Sequence, residues 1–237
     1  MKPDVICGVT AVSALFARRP EAALRLFYVA ELRQAAGPWC KHLAAARRPY
    51  RMVEAEELAK VTGTPHHGGI AVVAEPRAIV PFNPAAPPTA DLLLVLDGIG
   101  NPHNLGAIAR SAAFFGVPAL LLHAVPGAAL PSDAAYRTAA GGLEWLDVYA
   151  TEDLPAALTA LGPAWRTVAA TLTRQARPLV ELKRDRPIAL VLGHEEHGVA
   201  PAVLAACQQQ VKVVGARRVQ SLNVAQAAAV FLHSLCG

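Results

Sequence analysis

The chain has 237 residues, 54% of them apolar and 17% charged, a composition that excludes a disordered polyampholyte and supplies ample core for one large domain or two small ones. The net charge of +4 is modest and lies wholly in the first part, with 11 Lys/Arg against 7 Asp/Glu in residues 1–90 and 11 against 11 in residues 91–237. Cys7, Cys40, Cys207 and Cys236 form no C-x-x-C pair, which argues against a zinc clip or a disulfide framework and leads us to expect a cytoplasmic protein.

Val5 to Ala17 is an apolar run after Lys2 with roughly the length of a secretory signal core. Its flanks are wrong: Asp4 sits in the would-be basic region, Arg18-Arg19-Pro20 stand where small residues should precede a cleavage site, and the run is too short to span a bilayer. Val12, Leu15 and Phe16 instead have the spacing of one helical face. Ala11 to Ala17, Leu26 to Val29, Trp39 to Ala46, Ala55 to Val61 and Ile70 to Ala74 read as short helices and strands of a small α/β domain over residues 1–75. Arg18, Arg19, Arg25, Arg33, Lys41, Arg47, Arg48 and Arg51 could give that domain a phosphate-holding surface; a solvated basic face is the alternative.

Residues 76–90 follow as a stiff linker, since five prolines between Pro76 and Pro88 exclude a helix and most sheet pairing. Beyond it, Leu92 to Leu96, Ala119 to Leu122, Val168 to Ala170 and Ile188 to Leu192 are apolar runs without period-two alternation. Such runs predict strands covered on both faces, and so a parallel sheet sandwiched by helices over residues 91–237. The final helix, about Asn223 to Leu235, has almost no polar face. It must be buried nearly all round, which predicts a homodimer or, alternatively, a central core helix in a monomer.

Three blocks carry chemistry. In the first, Asp97-Gly98-Ile99-Gly100 precedes a helix, but a dinucleotide fingerprint would need glycine where His103 stands. Asn101-Pro102 reads as an N-cap with proline at the first helical position, and Asn104 and Arg110, six residues apart, share one side of that helix only approximately. In the second, Gly193 follows a strand, where parallel α/β proteins bind ligands. The adjoining His194-Glu195-Glu196-His197 is not H-E-x-x-H, so no metal is expected there, and Glu196 reads as a solvated side chain. In the third, Ser221 and Asn223 begin the last helix, where capping is the default role.

Taken in order, Asn101 to Arg110, Leu192 to Gly198 and Ser221 to Ala225 resemble motifs 1, 2 and 3 of the SpoU (TrmH-like) RNA 2'-O-ribose methyltransferases of the SPOUT superfamily. The resemblance spans roughly Leu94 to Leu235, and a looser one, through Gly8, Val12 and His66 to Ile70, likens the first domain to the L30e-like RNA-binding module. It implies a C-terminal trefoil knot, S-adenosylmethionine as cofactor, RNA as partner with ribosomal RNA favoured over transfer RNA, and no membrane. It also implies a catalytic set of Asn104, Arg110, Glu195, Ser221 and Asn223, with Gly106 as a matched glycine, and cofactor contacts from Leu192, Gly193, Val213, Leu222 and Asn223. Val214 and Arg217 depart from the family pattern, so the cofactor loop is expected to differ in shape, with Arg217 and Arg218 adding an RNA contact. The resemblance implies Arg110 as the base, but guanidinium stays protonated at neutral pH; the alternative expected here is that Arg110 clamps a phosphate beside the target ribose, oriented by Glu195. A catalytically inactive RNA-binding protein of the same fold is the alternative.

Overall fold

The structure, a computed structural model, describes residues 2–216 and 218–237; Arg217 lies outside the described residues. The first sheet is built from β1 (Asp4–Cys7), α1 (Val9–Arg18), β2 (Ala23–Tyr28), α2 (Arg33–Ala45), β3 (Tyr50–Met52), α3 (Ala55–Thr62) and β4 (Ile70–Ala74), with strand order β1-β4-β2-β3. Val12 and Leu15 are fully buried, and Phe16 stacks on Trp39 of α2. The signal-like run is therefore most of strand β1 followed by the core helix α1.

Residues 76–90 do not cross open space. Val80–Pro81 forms β5, which pairs in parallel with β8 (Asp147–Thr151), and the Phe82 amide donates to the Ala150 carbonyl at 2.8 Å. Proline density was expected to exclude most sheet pairing, and this pair of two residues is what is formed. Pro81 sits on an outermost strand, where a missing N–H costs no ladder bond to a further neighbour.

The second sheet has eight strands in the order β10-β12-β9-β11-β6-β7-β8-β5, every adjacent pair parallel. Its elements in chain order are β6 (Leu92–Asp97), α4 (Pro102–Phe114), β7 (Ala119–His123), α5 (Asp133–Ala139), β8, α6 (Leu154–Leu161), β9 (Arg166–Ala170), β10 (Arg177–Pro178), β11 (Ile188–Gly193), α7 (Pro201–Ala206), β12 (Gln209–Lys212) and α8 (Val224–Cys236). Leu92, Leu94 and Leu96 of β6 enter one core cluster while Leu93 and Val95 enter another on the opposite face. Both faces are covered, as unalternated apolar strands require. From β12, near one edge, the chain returns toward the centre, where α8 packs on α4 and β11. None of the described helices is long and apolar enough to cross a membrane.

The two sheets share one continuous core cluster and a buried ionic network. Glu144, whose side chain is fully buried between α5 and β8, accepts a forked pair from Arg19 at 2.7 and 3.0 Å and a third bond from Arg77 at 3.2 Å. Arg77 also donates to the Leu146 carbonyl. Tyr136 donates to Asp4 at 2.8 Å, and the Asp133 carboxylate accepts the Val5 amide at 3.0 Å. Of the cations assigned to a phosphate-holding face, Arg19 is thus spent inside the junction, Arg48 on the Glu21 and Ala23 carbonyls, and Arg51 on Glu57. Arg18, Arg25, Arg33, Lys41 and Arg47 remain exposed.

Candidate active site

β6 and β11 lie side by side in the middle of the sheet, with Asp97 registered against Gly193 at their carboxyl ends. After β6 the chain enters α4 with Asn101 as N-cap, its Oδ1 accepting the His103 amide at 2.9 Å, and Pro102 as first helical residue. After β11 it makes a tight hairpin, His194 to Gly198, closed by reciprocal backbone bonds of 2.9 Å. The hairpin aims Glu195 at the α4 N-terminus. Its carboxylate accepts the backbone N–H groups of Gly100 at 3.1 Å and Asn101 at 3.2 Å, and the Asn104 amide at 2.7 Å. These are donors that a helix start leaves unpaired, and its positive end favours an anion. Burial of Glu195 works to raise its pKa, but the bonds from Asn104 and from the N–H groups of Glu195 itself, Gly100 and Asn101 outweigh it and hold the carboxyl below its ordinary value. Glu195 is a carboxylate engaged by donors, a poor proton acceptor.

The third block closes on the same point. Asn223 Nδ2 donates to Asn104 Oδ1 at 3.2 Å, and Asn223 Oδ1 accepts the Ala225 amide at 2.8 Å as the N-cap of α8. Asn101 and Asn223 cap as expected from sequence, whereas Ser221 makes no capping bond among the described residues; each cap residue also serves this cluster, Asn101 by its amide and Asn223 by its side chain.

Arg110 is exposed on α4 and makes no hydrogen bond or ion pair among the described residues; its Cα packs against Gly142. The expected Glu195–Arg110 contact is absent, because the oxygens of Glu195 are taken up by the α4 N-terminus and Asn104. Ser221 and Leu222 are exposed, Val213 is half-buried, and Leu192 and Gly193 are buried at the end of β11. A Cβ on Gly193 would stand 2.1 Å from the Gly198 carbonyl carbon and the Val199 nitrogen. The missing side chain at Gly193 thus lets the returning hairpin cross the end of β11. Gly106 is likewise a packing residue: a Cβ there would meet the Ala135 carbonyl oxygen at 2.4 Å, so glycine lets α5 press against α4.

Asp97 belongs to none of the three matched motifs, the first of which begins at Asn101. Buried at the end of β6, it pairs with His123 Nδ1 at 2.7 Å and accepts the Ala200 amide at 2.7 Å, tying β6, β7 and the start of α7 together. The available signal was an acid closing an apolar strand. Nearby, burial first and the Asp97 charge second push the Cys207 thiol up to about 12, so it is no nucleophile at neutral pH. Between β12 and α8, Val214, Val219 and Leu222 expose apolar side chains. Among the described residues no group of His, Cys, Asp and Glu is arranged to hold a metal ion.

Residues 91–233 match the family model described as the SpoU rRNA Methylase family, and residues 5–79 match that for RNA 2'-O ribose methyltransferase substrate binding. An Escherichia coli O157:H7 protein named "Uncharacterized tRNA/rRNA methyltransferase YfiF" is 33% identical over 229 residues, 96% of this chain; the chain spans 66% of that relative's length, just under two thirds. The Yersinia pestis 23S rRNA (guanosine-2'-O-)-methyltransferase RlmB is 31% identical over 98% of this chain and 96% of its own. The crystal structure of an AdoMet-bound rRNA methyltransferase from Sinorhizobium meliloti superposes with a TM-score of 0.81 over 99% of this chain and 87% of that one, at 19% identity, a likeness of fold. With both segments matched and the three motif blocks meeting at one strand-end site, the chain belongs to the SpoU rRNA methylase family.

Proposed function

We propose that this protein transfers the methyl group of S-adenosylmethionine to a ribose 2'-hydroxyl of structured RNA, ribosomal rather than transfer RNA. The observation that carries this is the hydrogen-bonded chain Glu195, Asn104, Asn223, which draws one residue from each motif block across 91 and 119 positions. RlmB of Yersinia pestis, which matches almost end to end, bears a ribosomal RNA activity in its name, and a substrate-binding segment precedes the motif-bearing part here.

In this reading Leu192, Gly193, Val213, Leu222 and Asn223 hold the cofactor through backbone groups at the strand ends. When bound, it supplies an electrophilic methyl on sulfonium. The chain's work is alignment, which contributes about 7–11 kcal/mol in well-oriented reactions, and management of a weakly acidic hydroxyl. Glu195, held by its donors, fixes Asn104 rather than taking a proton. Asn104 and Ser221 orient the ribose, Asn223 anchors the loop, and exposed Arg110 grips the neighbouring phosphate, lowering the hydroxyl's pKa electrostatically. Exposed Arg18, Arg25, Arg33, Lys41 and Arg47 capture the RNA.

Two architectural features belong to the same proposal. The return of the chain from β12 to α8 supports a trefoil knot. The partly exposed α8, with Val230 outward and the highly exposed Phe114 at the end of adjoining α4, supports a homodimer through that face. Sedimentation would give twice the chain mass.

The test incubates the full-length protein with labelled S-adenosylmethionine and, separately, ribosomal and transfer RNA from cells lacking the gene, then maps 2'-O-methyl positions. One modified ribosomal site, lost with Arg110→Ala, is expected. Cofactor binding without methyl transfer to either RNA would overturn the proposal in favour of an inactive RNA-binding protein.

A further inference from the structure

The hairpin that delivers Glu195 also presents two imidazoles that the proposed chemistry leaves unused. His194 and His197 stack with ring centroids 4.8 Å apart and planes 16° from parallel. His194 is fixed: its Nδ1 accepts the Glu196 amide at 3.1 Å, which puts its ring proton on Nε2, and that nitrogen lies 4.0 Å from Glu195 Oε2 and packs against Gly100. The reciprocal His194–Gly198 bonds hold the turn rigid. His197 therefore has one face backed by an immobilised ring, is itself exposed, and makes no hydrogen bond among the described residues.

We infer that His197, backed by His194, is a stacking platform for an unpaired nucleobase of the RNA, either that of the methylated nucleotide or that of its immediate neighbour. This rests on the ribose-methylation reading and deepens it. Position supports it: the platform belongs to the same five-residue hairpin as Glu195, so a ribose held at Asn104 brings its base within reach. Charge supports it too. Glu195 and the exposed Glu196 flank the rings, which disfavours a phosphate there and leaves an uncharged planar group as the suitable occupant. Imidazole faces accept bases of any identity, so the platform would select for a base splayed out of the helix rather than for its sequence.

The experiment compares full-length wild type, His197→Ala and His197→Phe, using ribosomal RNA from cells lacking the gene and labelled S-adenosylmethionine. His197→Ala should lower kcat/KM for RNA by about tenfold or more, the loss of one stacked base. Its KM for cofactor and its Tm should stay at wild-type values, and His197→Phe should recover most of the loss. Wild-type kinetics in His197→Ala, or a His197→Phe enzyme as impaired as the alanine variant, would overturn the platform while leaving ribose methylation standing. No methyl transfer by the wild-type protein would overturn both.

Discussion

The Asn104 amide donates to Glu195 Oε1 at 2.7 Å, and this one bond sets the polarity of the whole site. With Nδ2 committed to a carboxylate, Asn104 must turn Oδ1 outward, where it accepts Asn223 Nδ2; Asn223 must then offer Oδ1 to the Ala225 amide. Glu195→Gln should break that order. The glutamine has one accepting oxygen and sets an NH2 against donors that previously shared two. Unsatisfied partly buried donors cost about 1–3 kcal/mol, so thermal unfolding should move down by roughly 3–10 °C, and methyl incorporation should fall by at least a hundredfold.

The same bond predicts a pH dependence. The folded pKa of Glu195 is depressed, so its stabilising contribution is present above the unfolded carboxylate value of about 4.3 and is lost as pH falls through the folded value. The Tm gap between wild type and Glu195→Gln should therefore be constant from pH 8 to about 5 and close on further acidification. A gap that widened in acid would reverse the sign. Asp4 works in the opposite direction, because burial raises its pKa and its cost appears as pH rises; referencing each Tm to the Gln variant removes it.

Arg110 is exposed and unpaired among the described residues. Arg110→Ala should thus unfold within about 0.5 kcal/mol of wild type and retain cofactor binding by calorimetry, while methylation drops at least a hundredfold. Arg110→Lys should recover part of the activity, since an ammonium attracts phosphate without the fork.

Glu144 is the cheapest way to loosen the junction between the sheets. Glu144→Ala would leave Arg77, about seven-eighths buried, without a counterion among the described residues, and Arg19, equally buried, with only Asp4 at 3.9 Å, a loss of about 3–5 kcal/mol. Burial already lowers the pKa of Arg77 against the pull of Glu144. A Tm drop with faster proteolysis in residues 76–90 is expected; unchanged protection there would show that the shared apolar core alone holds the two parts. For this reason the RNA-capture role of the first segment is better tested by reversing Arg33 and Lys41 to glutamate than by cutting the chain.

Elements with a strong local signature were legible. Unalternated apolar runs gave the central strands β6, β7, β9 and β11, and Asn101-Pro102 gave the start of α4. Strands β1, β3, β8 and β12 escaped because they are short or polar, and pair only because a neighbour stands ready: Gln209 to Lys212 has a single buried residue, Val211. The pairing of Val80–Pro81 escaped for the same reason.

The sequence by itself determined the central strands, the starts of α4 and α8 and, through three ordered motifs, the family. Only the tertiary structure decided who touches whom. It gave Glu195 to Asn104 and the α4 N-terminus instead of Arg110, and spent Arg19 in a buried junction. The physical reason is that hydrogen-bond capacity is finite and local: a carboxylate saturated by nearby donors is not free for a distant guanidinium, and which donors are near is set by the register of β6 against β11, a contact between segments about a hundred residues apart.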